Sequence, residues 1–168
     1  KKDLNLLKKS TIIKFLKNDY NLIVNCAAIA RMENCEKRPL NAIKVNIYGT
    51  LNLVKEIMHY ENYYNKKIKL IHISSDGVYP SIKGNYSENA ALKPYNFYGW
   101  TKLGSETVVK MLQNYIIIRT RFFNKNNIKY DTAATDIFTS AIEVENLVRE
   151  IKNISLSKFI GVINVGGR

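Results

Sequence analysis

The sequence predicts an α/β fold, a parallel sheet lying between layers of helix. Two observations carry this. Short, nearly continuous apolar runs rich in β-branched residues stand at 22–26 (LIVNC), 68–74 (IKLIHIS), 115–120 (YIIIRT) and 161–165 (GVINV). Strands buried on both faces read this way. Longer stretches with apolar residues three or four apart separate them, as amphipathic helices require. Strand–helix–strand alternation implies parallel pairing through crossover connections.

Taken in order, the first helix is expected over 4–16, with Leu7, Ile12, Phe15 and Leu16 on its apolar face. The strand at 22–26 follows. A long helix over 40–58 starts after Pro39 and carries Ile43, Ile47, Leu51, Val54 and Met58. The strand at 68–74 ends in hydroxyls, at Ser74-Ser75. A helix over 97–112 comes shortly after Pro94, then the strand at 115–120, a helix over 143–154 and a last strand at 161–165. A doubly wound nucleotide-binding sheet opens with a strand, a glycine-rich turn and a helix. This chain opens almost directly with a helix. It contains no G-x-G-x-x-G or G-x-x-G-x-x-G, and no helix can follow Gly166-Gly167.

Composition excludes several classes. The 168 residues suit one domain, and 46% of them are hydrophobic, so a core can form. Two cysteines exclude a disulfide-built scaffold. No apolar run approaches the roughly 20 residues of a membrane helix, and no signal-peptide pattern opens the chain. A cytoplasmic protein is expected, and the sequence is read as a piece of a longer one. The net charge is +12, but the basic residues are scattered in small clusters. That pattern is a solvated face, not a nucleic-acid surface, so neither a nucleic acid nor a membrane is an expected partner. Cys26, Cys35, His59 and His72 have no zinc-like spacing, and no metal is expected. Cys26 and His72 read as packed core residues, and Trp100 is expected to pack on the helix that carries it.

Tyr98 and Lys102 stand four apart, on one helical face. An ammonium near a phenol favours the phenolate and makes the tyrosine a usable proton carrier. Tyr63–Lys67 and Tyr79–Lys83 share that spacing, so spacing alone decides nothing. Only Tyr98 opens a long helix just downstream of a strand ending in Ser74-Ser75-Asp76. Ligands of open parallel sheets bind at the carboxyl ends of strands. Asn25-Cys26-Ala27-Ala28 ends another strand in small residues, where a flat ligand can approach the backbone. Asn46 is polar within an apolar helix stripe, which fits either a functional side chain or a satisfied buried amide.

Four stretches in order resemble the extended short-chain dehydrogenase/reductase superfamily, and within it the dTDP-4-dehydrorhamnose reductase family. They are Asp3-Leu4; Leu22 to Ala28 with Glu33, Glu36 and Asn46; Ile71 to Tyr79; and Pro94, Asn96, Tyr98, Lys102 and Glu106, continued by Arg119-Thr120. The resemblance covers about residues 3–123. It implies a Rossmann-type doubly wound parallel sheet, here lacking the first strand–glycine turn–helix. The whole of 1–168 would be a partial NAD(P)-binding domain, with a shortened substrate-domain portion around 121–142.

The same resemblance implies roles. Tyr98 would be the general acid. Lys102 would hold the nicotinamide ribose and depress the Tyr98 pKa. Ser75 would hydrogen-bond the substrate carbonyl, and Asp76 and Phe122 would contact the substrate. Ala27, Ala28 and Ile29 would line the cofactor, NADPH or NADH, and Asp3 and Leu4 would flank its adenine. The activity implied is reduction of a keto group on a nucleotide-linked sugar, by an enzyme for which a homodimer is one assembly. Asp76 is followed by Gly77, not by the carboxylate typical of sugar-nucleotide dehydratases, which favours plain carbonyl reduction. The alternatives are a non-catalytic regulatory or binding subunit of the same fold, and a sugar-nucleotide epimerase.

Overall fold

A computed structural model describes residues 4–127 and 139–167. Its main sheet has four parallel strands in the order β1 (Leu22–Asn25), β2 (Lys69–Ile73), β3 (Tyr115–Thr120) and β6 (Gly161–Val165). Every strand run expected from the sequence is therefore a strand of this sheet. A separate pair joins β4 (Phe122–Phe123) to β5 (Ile142–Glu143), also parallel. Two residues per strand gave no periodic signal in the sequence.

Helices cover both faces. α1 (Lys9–Leu16), α4 (Gly49–Tyr64) and α5 (Phe97–Val109) place Ile12, Leu16, Leu53, Ile57 and Val109 against Ile23, Leu70 and Ile117. On the opposite face, α6 (Val144–Ser155) packs Leu147 against Ile71, Ile116 and Ile118. The alternation of Ile116, Ile117 and Ile118 between the two cores is the period-2 geometry of a strand buried on both sides. The expected doubly wound, Rossmann-like layering is thus present. Among the described residues no glycine turn links a strand to a helix N-terminus.

The helices differ from expectation at their ends. The first begins at Lys9, because 5–8 form a turn in which the Asn5 side chain accepts from the Leu7 N–H and the Thr11 hydroxyl donates to the Asn5 carbonyl. A short helix α2 (Met32–Lys37) was not expected. The long helix after Pro39 is not uniform. It runs as α3 (Pro39–Ala42), a π-helical turn over Ile43–Tyr48, and then α4. Inserted π turns frequently mark functional positions, and this one contains Asn46.

Candidate active site

The carboxyl ends of the parallel strands β1, β2 and β3 lie on one side of the sheet, and the chain after each end supplies the candidate site. After β2, Ser75 caps a single 3₁₀ turn over Asp76–Val78. Its hydroxyl oxygen accepts from the Gly77 N–H at 3.0 Å, and its O–H lies 3.2 Å from Asp76 Oδ1. Asn96 caps α5 by accepting from the Gly99 N–H at 2.7 Å. That cap aims the first turn of α5, with Tyr98, at the Ser75 turn. The approach is close: a Cβ on Gly99 would lie 2.3 Å from the Gly77 carbonyl oxygen. Only glycine allows this contact.

Tyr98 stands against the Ser75 turn: a Cβ on Gly77 would lie 3.3 Å from Ser75 Oγ and 4.0 Å from Tyr98 Cδ1. One helical turn on, Lys102 is 2% exposed. Its ammonium donates to the Ile73 carbonyl at 2.7 Å. The sequence brought an expectation that Lys102 depresses the Tyr98 phenol. The phenol instead stands above its ordinary value, chiefly because it is buried. Tyr98 is accordingly a protonated phenol at neutral pH. Lys102 moves the other way, lowered to about 8, chiefly by burial against the opposing pull of Glu106 and Cys26.

The loop after β1 forms the neighbouring wall. Asn46, in the π turn, grips one residue of that loop at both ends. Its Oδ1 accepts from the Ile29 N–H at 2.7 Å, and its amide donates to the Ile29 carbonyl at 3.2 Å and to Thr101 Oγ1 at 2.8 Å. Asn46 is thus a satisfied buried amide whose partners belong to the site's walls. Ala28 and Ile29 are half-buried and Ala27 is exposed. Ala27 and Leu4 line a common groove of about 180 Å³ with Val24 and Cys26. Cys26 is exposed, which corrects the reading of it as a core residue: it lies just past β1, the outermost strand of the sheet. His72 is buried as expected. Trp100 is half-exposed on α5. Asp3 lies outside the described residues, as does half of the 121–142 portion.

A larger cavity of about 770 Å³ opens beyond Asp76, between the ends of β3 and β6, lined by Tyr79, Lys83, Tyr95, Arg121 and Asn164 among others. Ligand sites fall in this size range. Arg121 pairs with Asp76 at 2.8 Å, so Asp76 joins the cavity to the Ser75 turn. Thr120, 4% exposed, lines the cavity, and its hydroxyl has no partner among the described residues. Arg121 was not singled out in the sequence, and Thr120 entered there only as part of the resemblance. Phe122 stands beside them on β4, half-exposed. Beneath, Glu106 accepts from Ser74 at 2.5 Å and from Arg119 at 2.8 Å, a buried pair that ties α5 to β2 and β3.

Residues 1–137 match the family described as the RmlD substrate binding domain. The chain belongs to that family. Over 108 residues it is 34% identical to methionine adenosyltransferase 2 subunit beta of Xenopus tropicalis, covering 63% of this chain and 30% of that one. Over 134 residues it is 28% identical to dTDP-4-dehydrorhamnose reductase of Mycolicibacterium smegmatis, covering 78% and 39%. The solved structure of dTDP-4-dehydrorhamnose reductase from Bacillus anthracis in complex with NADP superposes with a TM-score of 0.85 at 23% identity, covering 99% of this chain and 64% of that one. That likeness carries the fold. The chain therefore spans between about a third and two fifths of these two curated relatives, and just under two thirds of that solved structure. This RmlD-family chain holds no group of three or more His, Cys, Asp or Glu side chains able to bind a metal among its described residues. Among the same residues no helix is long and apolar enough to cross a membrane.

Proposed function

We propose that the protein to which these residues belong reduces a keto group on a nucleotide-linked sugar, using a nicotinamide cofactor. The observation that carries this reading is the placement of Tyr98, in the first turn of α5, against the Ser75 turn at the end of β2, with Lys102 one turn behind. The ring-and-ribose end of such a cofactor fits the residues present. Lys102 is a buried ammonium with N–H groups to spare, beside a loop of small residues held open by Asn46. The pyrophosphate end has no glycine-turn cradle among the described residues. When bound, the cofactor supplies a hydride to the carbonyl carbon.

In this reading Ser75 donates a hydrogen bond to the substrate carbonyl oxygen and stabilises the negative charge that develops there. Tyr98 delivers its phenolic proton to the same oxygen. Lys102 donates to ribose hydroxyls of the cofactor, and Ala27, Ala28 and Ile29 pack against the nicotinamide. Asp3 and Leu4 would flank the adenine. The sugar and its nucleotide would occupy the larger cavity, contacting Asp76 and Phe122. The segment 121–142 would be its shortened substrate-side portion, within a single partial Rossmann-type domain over 1–168. Oxidation of NADPH or NADH by the whole protein in the presence of a 4-keto nucleotide sugar is the test. NADPH oxidation that depends on the sugar supports the reading, and its absence with both cofactors overturns it.

A second reading is favoured by one observation. Several relatives at 34–36% identity are beta subunits of methionine adenosyltransferase 2. On that reading the same fold acts as a regulatory subunit. A protein without turnover that co-purifies with a methionine adenosyltransferase would establish it.

A further inference from the structure

A hydrogen-bond chain runs beneath the site from the loop after β1 to α5. The Ala27 N–H donates to Asn25 Oδ1 at 3.1 Å, which fixes the orientation of the Asn25 amide. Asn25 Nδ2 then faces His72 Nδ1 at 3.1 Å. An amide nitrogen only donates, so Nδ1 must accept, and a neutral imidazole must carry its proton on Nε2. Nε2 lies 2.9 Å from Ser105 Oγ. The Ser105 hydroxyl spends its own proton on the Lys102 carbonyl at 2.7 Å, leaving its oxygen to accept. Each bond thereby fixes the direction of the next.

We propose that His72 is a positioning residue for Lys102, held by Asn25 as the neutral Nε2–H tautomer so that its ring offers the Lys102 ammonium no acceptor. Lys102 Nζ stands 3.4 Å from Nε2. Both atoms are donors in this tautomer, so they make no bond. Ile73 O is then the ammonium's one protein acceptor among the described residues, and its remaining N–H groups are free for a ligand. The other tautomer would set Nδ1–H against the Asn25 amide donor and would give Lys102 a second inward acceptor. The groups acting on His72 are consistent with a neutral ring: burial and the charge of Lys102 both push its pKa well below the ordinary value. Besides His72 on β2, the titratable groups facing Lys102 are Glu106 on α5 and Cys26 after β1.

The consequence for a cofactor ribose rests on the reductase reading. The tautomer does not, so the two fail separately. Nitrogen-15 imidazole spectra of the 168-residue chain test it, with the exposed His59 as the internal reference. His72 is expected to show a proton on Nε2 alone and no titration across roughly pH 5 to 8, where ordinary imidazoles titrate. A proton on Nδ1, or an imidazolium at neutral pH, overturns the proposal. Asn25→Asp supplies a carboxylate that accepts from Nδ1–H, so the proton should move there. Nε2 then accepts from Lys102, and the Lys102 titration midpoint, read in carbon-13 lysine spectra assigned with Lys102→Met, should rise from its low value. A role in packing alone would leave the proton on Nε2, and because the new carboxylate raises the Lys102 midpoint by its charge, the tautomer signal is the deciding readout. Transfer of the proton to Nδ1 with an unmoved Lys102 midpoint also overturns the proposal.

Discussion

Lys102→Met should stabilise the folded chain at neutral pH, although it removes a residue placed in the candidate active site. The pKa of Lys102 falls from the ordinary 10.5 to about 8 on folding, mainly through burial. At about 1.4 kcal/mol per tenfold change in proton affinity, holding the ammonium buried costs about 3 kcal/mol. Methionine fills much the same volume without a charge. It forfeits one hydrogen bond to the Ile73 carbonyl, worth about 1 kcal/mol. The net expectation near pH 7 is a gain of about 2 kcal/mol.

The pH dependence gives this prediction its sign. Between pH 8 and 10.5 the unfolded chain holds the Lys102 proton and the folded chain releases it, so the wild type gains stability from Lys102 as pH rises through that window. The advantage of Lys102→Met should therefore shrink above pH 8. By about pH 10.5 it should become a deficit of about 1 kcal/mol. Urea unfolding of both proteins at pH 7 and at the alkaline end measures the difference directly, and the other titrating groups cancel between them. If Lys102→Met were less stable by the same amount at both pH values, the ammonium would not be costly, and the reasoning would fail.

Three further outcomes follow from the same geometry. Tyr98→Phe should lower turnover of a nucleotide keto sugar by about 10²- to 10⁴-fold, while Tyr63→Phe and Tyr79→Phe change it far less; a Tyr98→Phe rate within about twofold of wild type refutes the proton-donor role. Gly99→Ala places a methyl 2.3 Å from the Gly77 carbonyl oxygen and 2.9 Å from Pro94 Cβ; a loss of about 1–3 kcal/mol in chemical denaturation is expected, together with slower turnover as Tyr98 is pushed from Ser75. Glu106→Gln keeps the shape but leaves the buried Arg119 guanidinium without its counter-charge; about 3–5 kcal/mol should be lost, and a loss under 1 kcal/mol would show that Arg119 is not bound by this carboxylate.

The sheet was legible because its signal is local. A run such as YIIIRT admits few other readings, and all four runs became strands of one parallel sheet. The site was legible by consequence, because a parallel sheet gathers its carboxyl ends on one side, and Ser75 and Tyr98 follow from that. The π turn was not legible. Its i→i+5 closure turns the buried face away from a 3.6-residue pattern, so Leu51 and Met58 of the expected stripe are exposed while Leu53 and Ile57 are buried. The direction of the Tyr98 pKa was misread because sequence spacing places Lys102 near the phenol but says nothing of the Ile73 carbonyl, which takes the ammonium instead. Arg121 was not legible because a charged residue at the end of a strand looks like any turn.

A pattern joins the buried polar residues beneath the site. Asn25, Asn46, His72, Ser105, Glu106 and Arg119 are all buried polar groups, and each is hydrogen-bonded to a partner distant in sequence. Burying a hydrogen-bonded polar group gains little net stability, and an apolar core of the same shape is often as stable. Stability therefore does not explain this concentration beneath one site. Direction does. An apolar contact tolerates rotation and slippage, whereas a chain of donors and acceptors such as Ala27–Asn25–His72–Ser105 has one consistent arrangement. The helix carrying Tyr98 and Lys102 is tied through it to the loop of Ala27 and Ala28, and through Glu106 to β3. Rigid relative placement of those three elements is what a proton donor, an ammonium and a flat ligand would need in common.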